Sequence, residues 1–335
     1  MGNTSSSKIR LSLSFLLAFS LLGAHPAAAA PQQPAPKRHS RAKPRQKPIL
    51  KPATLVGAGD IADCKELEGA KITAKLIASI PGTVFVAGDL AYEKGTAREF
   101  TDCYGKTWGR FKERTRPALG NHEYETRNAA PYFAYWGQTA GPAPKGYYSY
   151  DLGAWHIVVL NTNCNQPGVG GCSAGSEQEQ WLRQDLAAHP SSCTLAYGHH
   201  ALFSSGFFSR HAMHPEVRPL WQALYEARAE LILTGHEHSY ERFAPQDPQG
   251  HPDPVNGIRE IVVGTGGGSH TPLGSATANS EITNSHTFGV LKLTLGAGSY
   301  SWEFVPAPGE EFRDSGSAPC HPRNAAPAEG KSAKP

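Results

Sequence analysis

Asp60, Asp89, Asn121, His199, His236 and His238 stand in short glycine-led patterns: Gly59-Asp60, Gly88-Asp89-Leu90-Ala91-Tyr92, Gly120-Asn121-His122-Glu123, Gly198-His199-His200 and Gly235-His236-Glu237-His238. Two carboxylates, one amide oxygen, three imidazoles and a phenol suit a pair of adjacent metal ions. Anionic oxygens offset the charge, one carboxylate can bridge, and neutral imidazoles complete each coordination shell. Two ions ~3.5–4 Å apart clamp phosphoryl oxygens and supply a hydroxide for in-line attack at phosphorus. Each pattern alone has a plainer reading. Asp60 serves as a turn residue, Asn121-His122 as a hairpin turn, and Tyr92 as a buried tyrosine closing a loop. Five patterns whose donors all suit one site favour the metal reading.

Such donors need rigid supports, and the chain supplies them. Most of the patterns follow apolar, β-branched runs, among them Leu55-Val56-Gly57-Ala58, Thr83 to Ala87, Thr194 to Tyr197 and Leu231 to Thr234. The ligands therefore sit on turns just beyond strand ends. His236 and His238, two residues apart, share one side of an extended segment, whereas adjacent His199 and His200 diverge; His199 is the ligand and His200 a supporting group. Helices are expected at Lys65–Ile80, around Phe100, Tyr104 and Trp108, at Ser176–Ala188 behind a Ser176 N-cap, and at Val217–Ala229. Tyr147–Asp151 and Trp155–Leu160 read as a strand pair, and the end is β-rich, with strands at Glu260–Val263, Phe288–Leu295 and Tyr300–Val305. The fold class is α/β: a four-layer α-β-β-α sandwich of two mixed sheets flanked by helices. The run Gly264-Thr265-Gly266-Gly267-Gly268 has no helix pattern after it, so it reads as backbone passing close to another element rather than a nucleotide loop. His156, His189, His251, His270, His286 and His321 carry no such pattern, and Tyr132-Phe133 and Trp136 read as core or cleft wall.

The five motifs resemble those of the calcineurin-like metallophosphoesterases, and Tyr92 with His236-Glu237-His238-Ser239-Tyr240-Glu241-Arg242 resembles the purple acid phosphatase branch. The resemblance covers roughly Leu55 to Arg242. It implies Asp60, Tyr92 and His238 on a first metal, Asp89 bridging, and Asn121, His199 and His236 on a second. It implies Fe(III) with a divalent Fe, Zn or Mn ion. His122 would contact phosphate and stabilise developing charge or protonate the leaving oxygen. His211 or His214 would be a further substrate contact. Ala62 stands where the first motif usually carries Gly, and Ala196 where Val usually stands three residues before the fourth-motif His; neither change removes a ligand. The implied reaction is hydrolysis of small phosphate monoesters by attack of metal-bound hydroxide. A phosphodiesterase or nucleotidase of the same fold is the nearest rival, and a non-catalytic, phosphate-binding or wall-associated protein is the alternative of another class.

The flanks bound the rest. Lys8 and Arg10 before apolar Leu11–Leu22, then Ala27–Ala30, give the order of a signal peptide cleaved after Ala30, shorter than a membrane span. Residues 31–52 are a Pro-rich basic linker without acids, expected to be disordered and able to touch anionic surfaces. Residues 53–320 form the catalytic domain and 321–335 a disordered tail. The plant-type N-terminal β-domain is not expected between the linker and the first strand. Nine of the 32 Lys and Arg but none of the 29 acids precede residue 53, so the remainder carries 23 − 29 = −6. That balance argues against a specific nucleic-acid surface. Six cysteines in an exported chain favour disulfides. Cys164–Cys172 is the local pair, with Cys64–Cys103 and Cys193–Cys320 following by elimination among about fifteen possible pairings. Oligomeric state is not readable.

Overall fold

The structure, a computed structural model, describes residues 51–190, 193–206 and 213–322. The expected signal peptide, nearly all of the basic linker, His211 and the tail after residue 322 lie outside these residues.

Strands β1 (Ala53–Ala58), β2 (Ala62–Asp63), β3 (Thr83–Ala87), β4 (Ala91–Tyr92) and β5 (Thr115–Ala118) belong to the first part of the chain. The middle supplies β6 (Tyr148–Leu152), β7 (Trp155–Val159), β8 (Cys193–Tyr197), β9 (Leu231–Thr234) and β10 (Tyr240–Phe243). The last part adds β11 (Arg259–Val263), β12 (Ser280–Asn284), β13 (Gly289–Leu295), β14 (Ser299–Pro306) and β15 (Ser315–Pro319). One sheet runs β15-β14-β13-β1-β3-β5 and the other β12-β10-β11-β9-β8-β7-β6, with β2 and β4 forming a small ribbon. Both large sheets are mixed. β1, β3 and β5 are parallel, as are β7, β8, β9 and β11, while β13, β14 and β15 in one sheet and β6, β10 and β12 in the other pair antiparallel.

The main helices are α1 (Glu68–Ser79), α2 (Ala130–Trp136), α3 (Glu177–Ala188) and α4 (Arg218–Glu226). Alternation along β7, β8 and β9 explains the layering. Ile157, Val159, Leu195, Tyr197, Leu231 and Leu233 enter the large core that also holds Leu55, Val84 and Leu291 from the other sheet. Their neighbours Val158, Ala196 and Ile232 pack outward against Leu182 of α3 and Leu220, Trp221 and Leu224 of α4. Strands covered on both faces read as continuous apolar runs, as these do. Ala70, Ala74 and Ile77 of α1 join the core of the first sheet. The four-layer sandwich is therefore the architecture.

Local chemistry moves some boundaries. α1 begins at Glu68 rather than Lys65 because Asp63 captures the preceding turn: its Oδ1 accepts from Lys65 N at 2.8 Å and its carbonyl from Glu66 N at 3.1 Å. Ser176 caps α3, its side chain accepting from Glu179 N. Around Phe100, Tyr104 and Trp108 the chain makes helical turns, Phe100–Tyr104 and Trp108–Arg114, rather than one helix, and all three aromatics are buried. Trp136 and Tyr132 are core. The cysteines pair Cys64–Cys103, Cys164–Cys172 and Cys193–Cys320. Among the described residues no helix is long and apolar enough to cross a membrane.

Candidate metal centre

Each candidate ligand from the parallel strands lies just past a C-terminal strand end. Asp60 follows β1, Asp89 follows β3, Asn121 follows β5, His199 follows β8 and His236 follows β9. Open α/β sheets place their ligand crevice at this edge, and two such edges face each other here. The preceding glycines are required by crowding. A Cβ on Gly120 would stand 2.0 Å from Asp89 Oδ1, and one on Gly235 would stand 2.6 Å from Asp60 Oδ2. Three candidate ligands take left-handed backbone, Asp60 at φ 61°, Asp89 at 49° and His236 at 70°. Non-glycine residues adopt it at a cost of about 1–2 kcal/mol each, and such cost concentrates at functional sites.

The donor atoms form two groups with one atom in common. In one, Tyr92 Oη lies 2.9 Å from Asp60 Oδ1, 3.2 Å from Asp89 Oδ2 and 3.1 Å from His238 Nε2. In the other, Asn121 Oδ1 lies 3.0 Å from both His199 Nε2 and His236 Nδ1, which are 3.2 Å apart. Asp89 Oδ2 is also 3.2 Å from His199 Nε2, so this one oxygen belongs to both groups. Asp60 and Asp89 are sealed from solvent. Donors at these separations match ligands about 2.0–2.2 Å from a common ion.

Outer contacts fix the tautomers. His199 Nδ1 donates to the Ala87 carbonyl at 2.8 Å, which leaves Nε2 as the nitrogen that faces Asn121 and Asp89 and that a metal would take. His238 Nδ1 likewise donates to the Ser269 carbonyl, leaving Nε2 toward Asp60 and Tyr92. Orienting partners of this kind are characteristic of metal-ligating histidines. Backbone N–H groups hold the other carboxylate oxygens, His236 N on Asp60 Oδ2 and His122 N on Asp89 Oδ1, each at 2.9 Å.

The electrostatics call for cations. Burial opposes the Asp89 charge, yet His199 and His122 hold its carboxyl well below the usual carboxylate range. Burial likewise lowers His199 and His238, but Asp89 raises the first and Asp60 the second, each to about 9. His236, buried beside His199, is pushed down to about 3. Burial first, then Asp60 and Asp89, drive the Tyr92 phenol well above its ordinary range. Protons on His199 and His238 thus stand in for positive charge that this oxygen-rich cluster attracts. Metal ions fit the donor set in type, number and orientation.

Two residues gain importance beyond their sequence signal. Glu123 is fully buried and accepts from Asp89 N at 3.1 Å, Leu90 N at 2.9 Å, Ala91 N at 3.4 Å and Gly120 N at 2.8 Å. Burial and the Asp89 charge push this carboxyl up. Four N–H donors nonetheless meet its two oxygens, with no acceptor for a proton among the described residues, and they favour the carboxylate. Only its place two residues after Asn121 hinted at this role. His200 lies with its ring 4.7 Å from His236 and 4.9 Å from His199, its Nδ1 paired with Thr162 Oγ1 at 2.9 Å.

His122 and His214 border the cluster. His122 Nδ1 meets the Glu93 carbonyl at 2.6 Å, its Nε2 is 3.9 Å from Asp89 Oδ2, and its side chain is 31% exposed. His214 has its ring 5.0 Å from His236, and its buried Nε2 has no partner among the described residues. The glycine-rich loop passes against Asp60. Gly268 N donates to the Asp60 carbonyl at 2.8 Å, and a Cβ on Gly264 would stand 2.6 Å from Asp60 Oδ2.

The calcineurin-like phosphoesterase family model matches residues 46–240, more than half of the chain. Purple acid phosphatase 15 of Arabidopsis thaliana is 25% identical over 243 residues, 61% of this chain and 43% of the relative. The probable purple acid phosphatase 20 of the same plant is 27% identical over 226 residues, 60% of this chain and 48% of the relative. The chain thus spans less than half the length of these curated relatives. Among solved structures, purple acid phosphatase PPD1 from yellow lupin (Lupinus luteus) seeds superposes with a TM-score of 0.65 at 21% identity, over 81% of this chain and 54% of that one. GAP50, described as the anchor in the inner membrane complex of Plasmodium, has the same TM-score of 0.65 at 14% identity, over 82% of this chain and 90% of that one. At these identities the structural matches concern the fold, whereas the sequence model reaches through all five motifs, and this chain belongs to the calcineurin-like phosphoesterase family.

Proposed function

We propose that this chain is a binuclear metal-dependent phosphatase that hydrolyses small phosphate monoesters. The observation that carries the reading is the shared atom: Asp89 Oδ2 contacts Tyr92 Oη on one side and His199 Nε2 on the other. Asp60, Asp89, Tyr92 and His238 would hold one ion, and Asp89, Asn121, His199 and His236 the other. A bound pair supplies Lewis acidity toward phosphoryl oxygens and a nucleophile at mild pH. The phenol of Tyr92 supports Fe(III) at the first position, with divalent Fe, Zn or Mn at the second.

The remaining side chains handle the substrate. His122, with Nδ1 at the Glu93 carbonyl, presents Nε2 beside Asp89 and can deliver a proton to the leaving oxygen or stabilise charge on it. His214, whose Nδ1 donates to Glu216 Oε1 at 2.9 Å and whose buried Nε2 has no partner among the described residues, would donate to a phosphoryl oxygen as the imidazolium; His211 is its rival from the same segment. Three disulfides support export, consistent with the signal-like N-terminus. The basic linker before residue 53 would contact anionic surfaces, and the partners are small phosphorylated molecules rather than specific nucleic acid.

The test is elemental analysis of purified protein together with turnover of a chromogenic monoester and the matching diester. Two ions per chain, faster turnover of the monoester, and loss of both ions and activity in Asp89→Asn are expected. Faster diester turnover would move the assignment to phosphodiesterase. A fully metallated chain that turns over neither would overturn the enzymatic reading in favour of a phosphate-binding role.

A further inference from the structure

A second concentration of imidazole and carboxylate lies at the other end of the seven-stranded sheet. His156 is near the start of β7, which runs parallel to β8, whereas His199 lies beyond the end of β8. His156 Nε2 stands 2.8 Å from Asp185 Oδ2 on α3. His189, the residue that ends α3, has Nδ1 2.8 Å from the Asp185 carbonyl and 3.3 Å from Asp185 Oδ1. The rings of His156 and His189 stack at 4.6 Å with 10° between their planes. One ligand atom from each of His156, Asp185 and His189 lies within 4.8 Å of the others.

The supporting contacts are those a metal ligand needs. Asp151, opposite His156 in β6, meets His156 Nδ1 at 3.0 Å and directs Nε2 toward Asp185. A carboxylate behind an imidazole in this way orients it and raises its basicity toward a metal. Ser149 donates to Asp185 Oδ1 at 2.7 Å. The His156 and Asp185 side chains are 1% and 8% exposed, so this half of the site is fixed, while His189 at 44% can turn. A pocket of about 240 Å³ lined by Asp151, Gly153, Ala154, Trp155, His189 and Pro190 opens beside it, with room for water as a fourth ligand.

The plainer occupant is a proton on His156. Burial disfavours that charge, yet hydrogen bonds to Asp185 and Asp151 raise His156 above its ordinary value. A proton on His156 accounts for its contacts with the two carboxylates, whereas an ion shared with Asp185 would also engage the His189 ring that stacks on it. Ligands about 2.0–2.2 Å from a tetrahedral ion are roughly 3.3–3.6 Å apart. The His156–Asp185 contact opens by about half an ångström, and rotation of exposed His189, releasing its Nδ1 from the Asp185 carbonyl, brings in the third ligand. Nitrogen with carboxylate oxygen is the ligand mixture of zinc.

We propose that His156, Asp185 and His189 bind a zinc ion separate from the strand-end centre, with Asp151 orienting His156. The ion would tie the end of α3 to the β6–β7 edge.

The test titrates the full, metal-loaded chain with Zn(II), counting bound zinc by elemental analysis after gel filtration and following the thermal midpoint. Wild type is expected to hold about one zinc more per chain than His189→Ala, whose zinc affinity at this site falls by at least about tenfold. Added zinc should raise the midpoint of wild type and not of the variant. The difference between the two chains does not depend on how many ions the strand-end centre takes, so this result stands apart from the proposed phosphatase activity. Because His189 is half-exposed at a helix end, its truncation leaves the fold intact, which an unchanged circular dichroism spectrum verifies. Equal zinc content in the two chains, or a zinc-induced rise in midpoint that survives the substitution, would overturn the site.

Discussion

Glu123→Gln probes the support beneath the bridging carboxylate without touching a candidate ligand. In the wild-type chain one Glu123 oxygen receives Asp89 N and Gly120 N, and the other receives Leu90 N and Ala91 N. A glutamine keeps one acceptor oxygen and turns an NH2 group toward the other two N–H donors. Two charge-assisted bonds are lost and two buried donors are stranded, at about 1.5–3 kcal/mol per bond. The expected loss is about 3–6 kcal/mol, or roughly 6–24 °C in Tm at about 2–4 °C per kcal/mol for a domain of this size. Asp89 and Asn121 both sit on the backbone that Glu123 gathers, so metal affinity should fall by about 10–100-fold. Thermal denaturation with and without chelator, with metal affinity by calorimetry, reads both effects. A midpoint within about 2 °C of wild type and unchanged affinity would show that the carboxyl is protonated or that the turn holds itself, refuting the account of these four bonds.

Two further perturbations address other parts of the argument. Tyr92→Phe should abolish any visible charge-transfer absorption while both ions remain, since Asp60, Asp89 and His238 keep their places; an unchanged spectrum would remove phenolate–Fe(III) ligation. Asp314 accepts from Tyr240 Oη and Arg242 Nε at 2.7 Å and Trp302 Nε1 at 3.0 Å. Burial opposes its charge, but the Arg242 and Tyr240 hydrogen bonds hold its carboxyl below the ordinary value. A lowered folded-state value means stability that is present above the unfolded value of about 3.9 and is lost as pH falls through the folded one. Asp314→Asn should therefore cost about 2–3 kcal/mol at pH 7, with the gap to wild type shrinking below about pH 4. Denaturant unfolding at both pH values measures it, and a gap that stays constant would rule out the titration of Asp314 as its source.

What the sequence made legible follows from how strongly local chemistry agrees with the fold. A glycine, then a polar ligand, after an apolar run is readable because crowding at a strand end admits almost nothing else, as the 2.0 Å clearance at Gly120 shows. Glu123 was legible only as the last residue of the Gly120–Glu123 pattern, since its role rests on the four backbone amides that the fold gathers around it. β15 escaped for the opposite reason. Ser315-Gly316-Ser317-Ala318-Pro319 has no strand propensity, and it is held by pairing with β14 and by the Cys193–Cys320 bond. His156 and His189 fall 33 residues apart with no shared motif. Only the meeting of β7 with the end of α3 brings them together. Helix ends shifted where a side chain such as Asp63 captured the first amides.

The ligand edges of both large sheets have a mechanical consequence. Asp60, Asp89 and Asn121 leave strands of one sheet, while His199 and His236 leave strands of the other. On the proposed assignment each ion is bonded to both halves of the sandwich, and the pair acts as a rivet through the seam. Loading the chain would then slow hydrogen exchange at the strand ends that carry these residues, far more than in strands β14 and β15 at the outer edge of the six-stranded sheet. Demetallation would loosen the two leaves like covers parted at the binding, and the crevice that receives phosphate would be the first part of the molecule to gape.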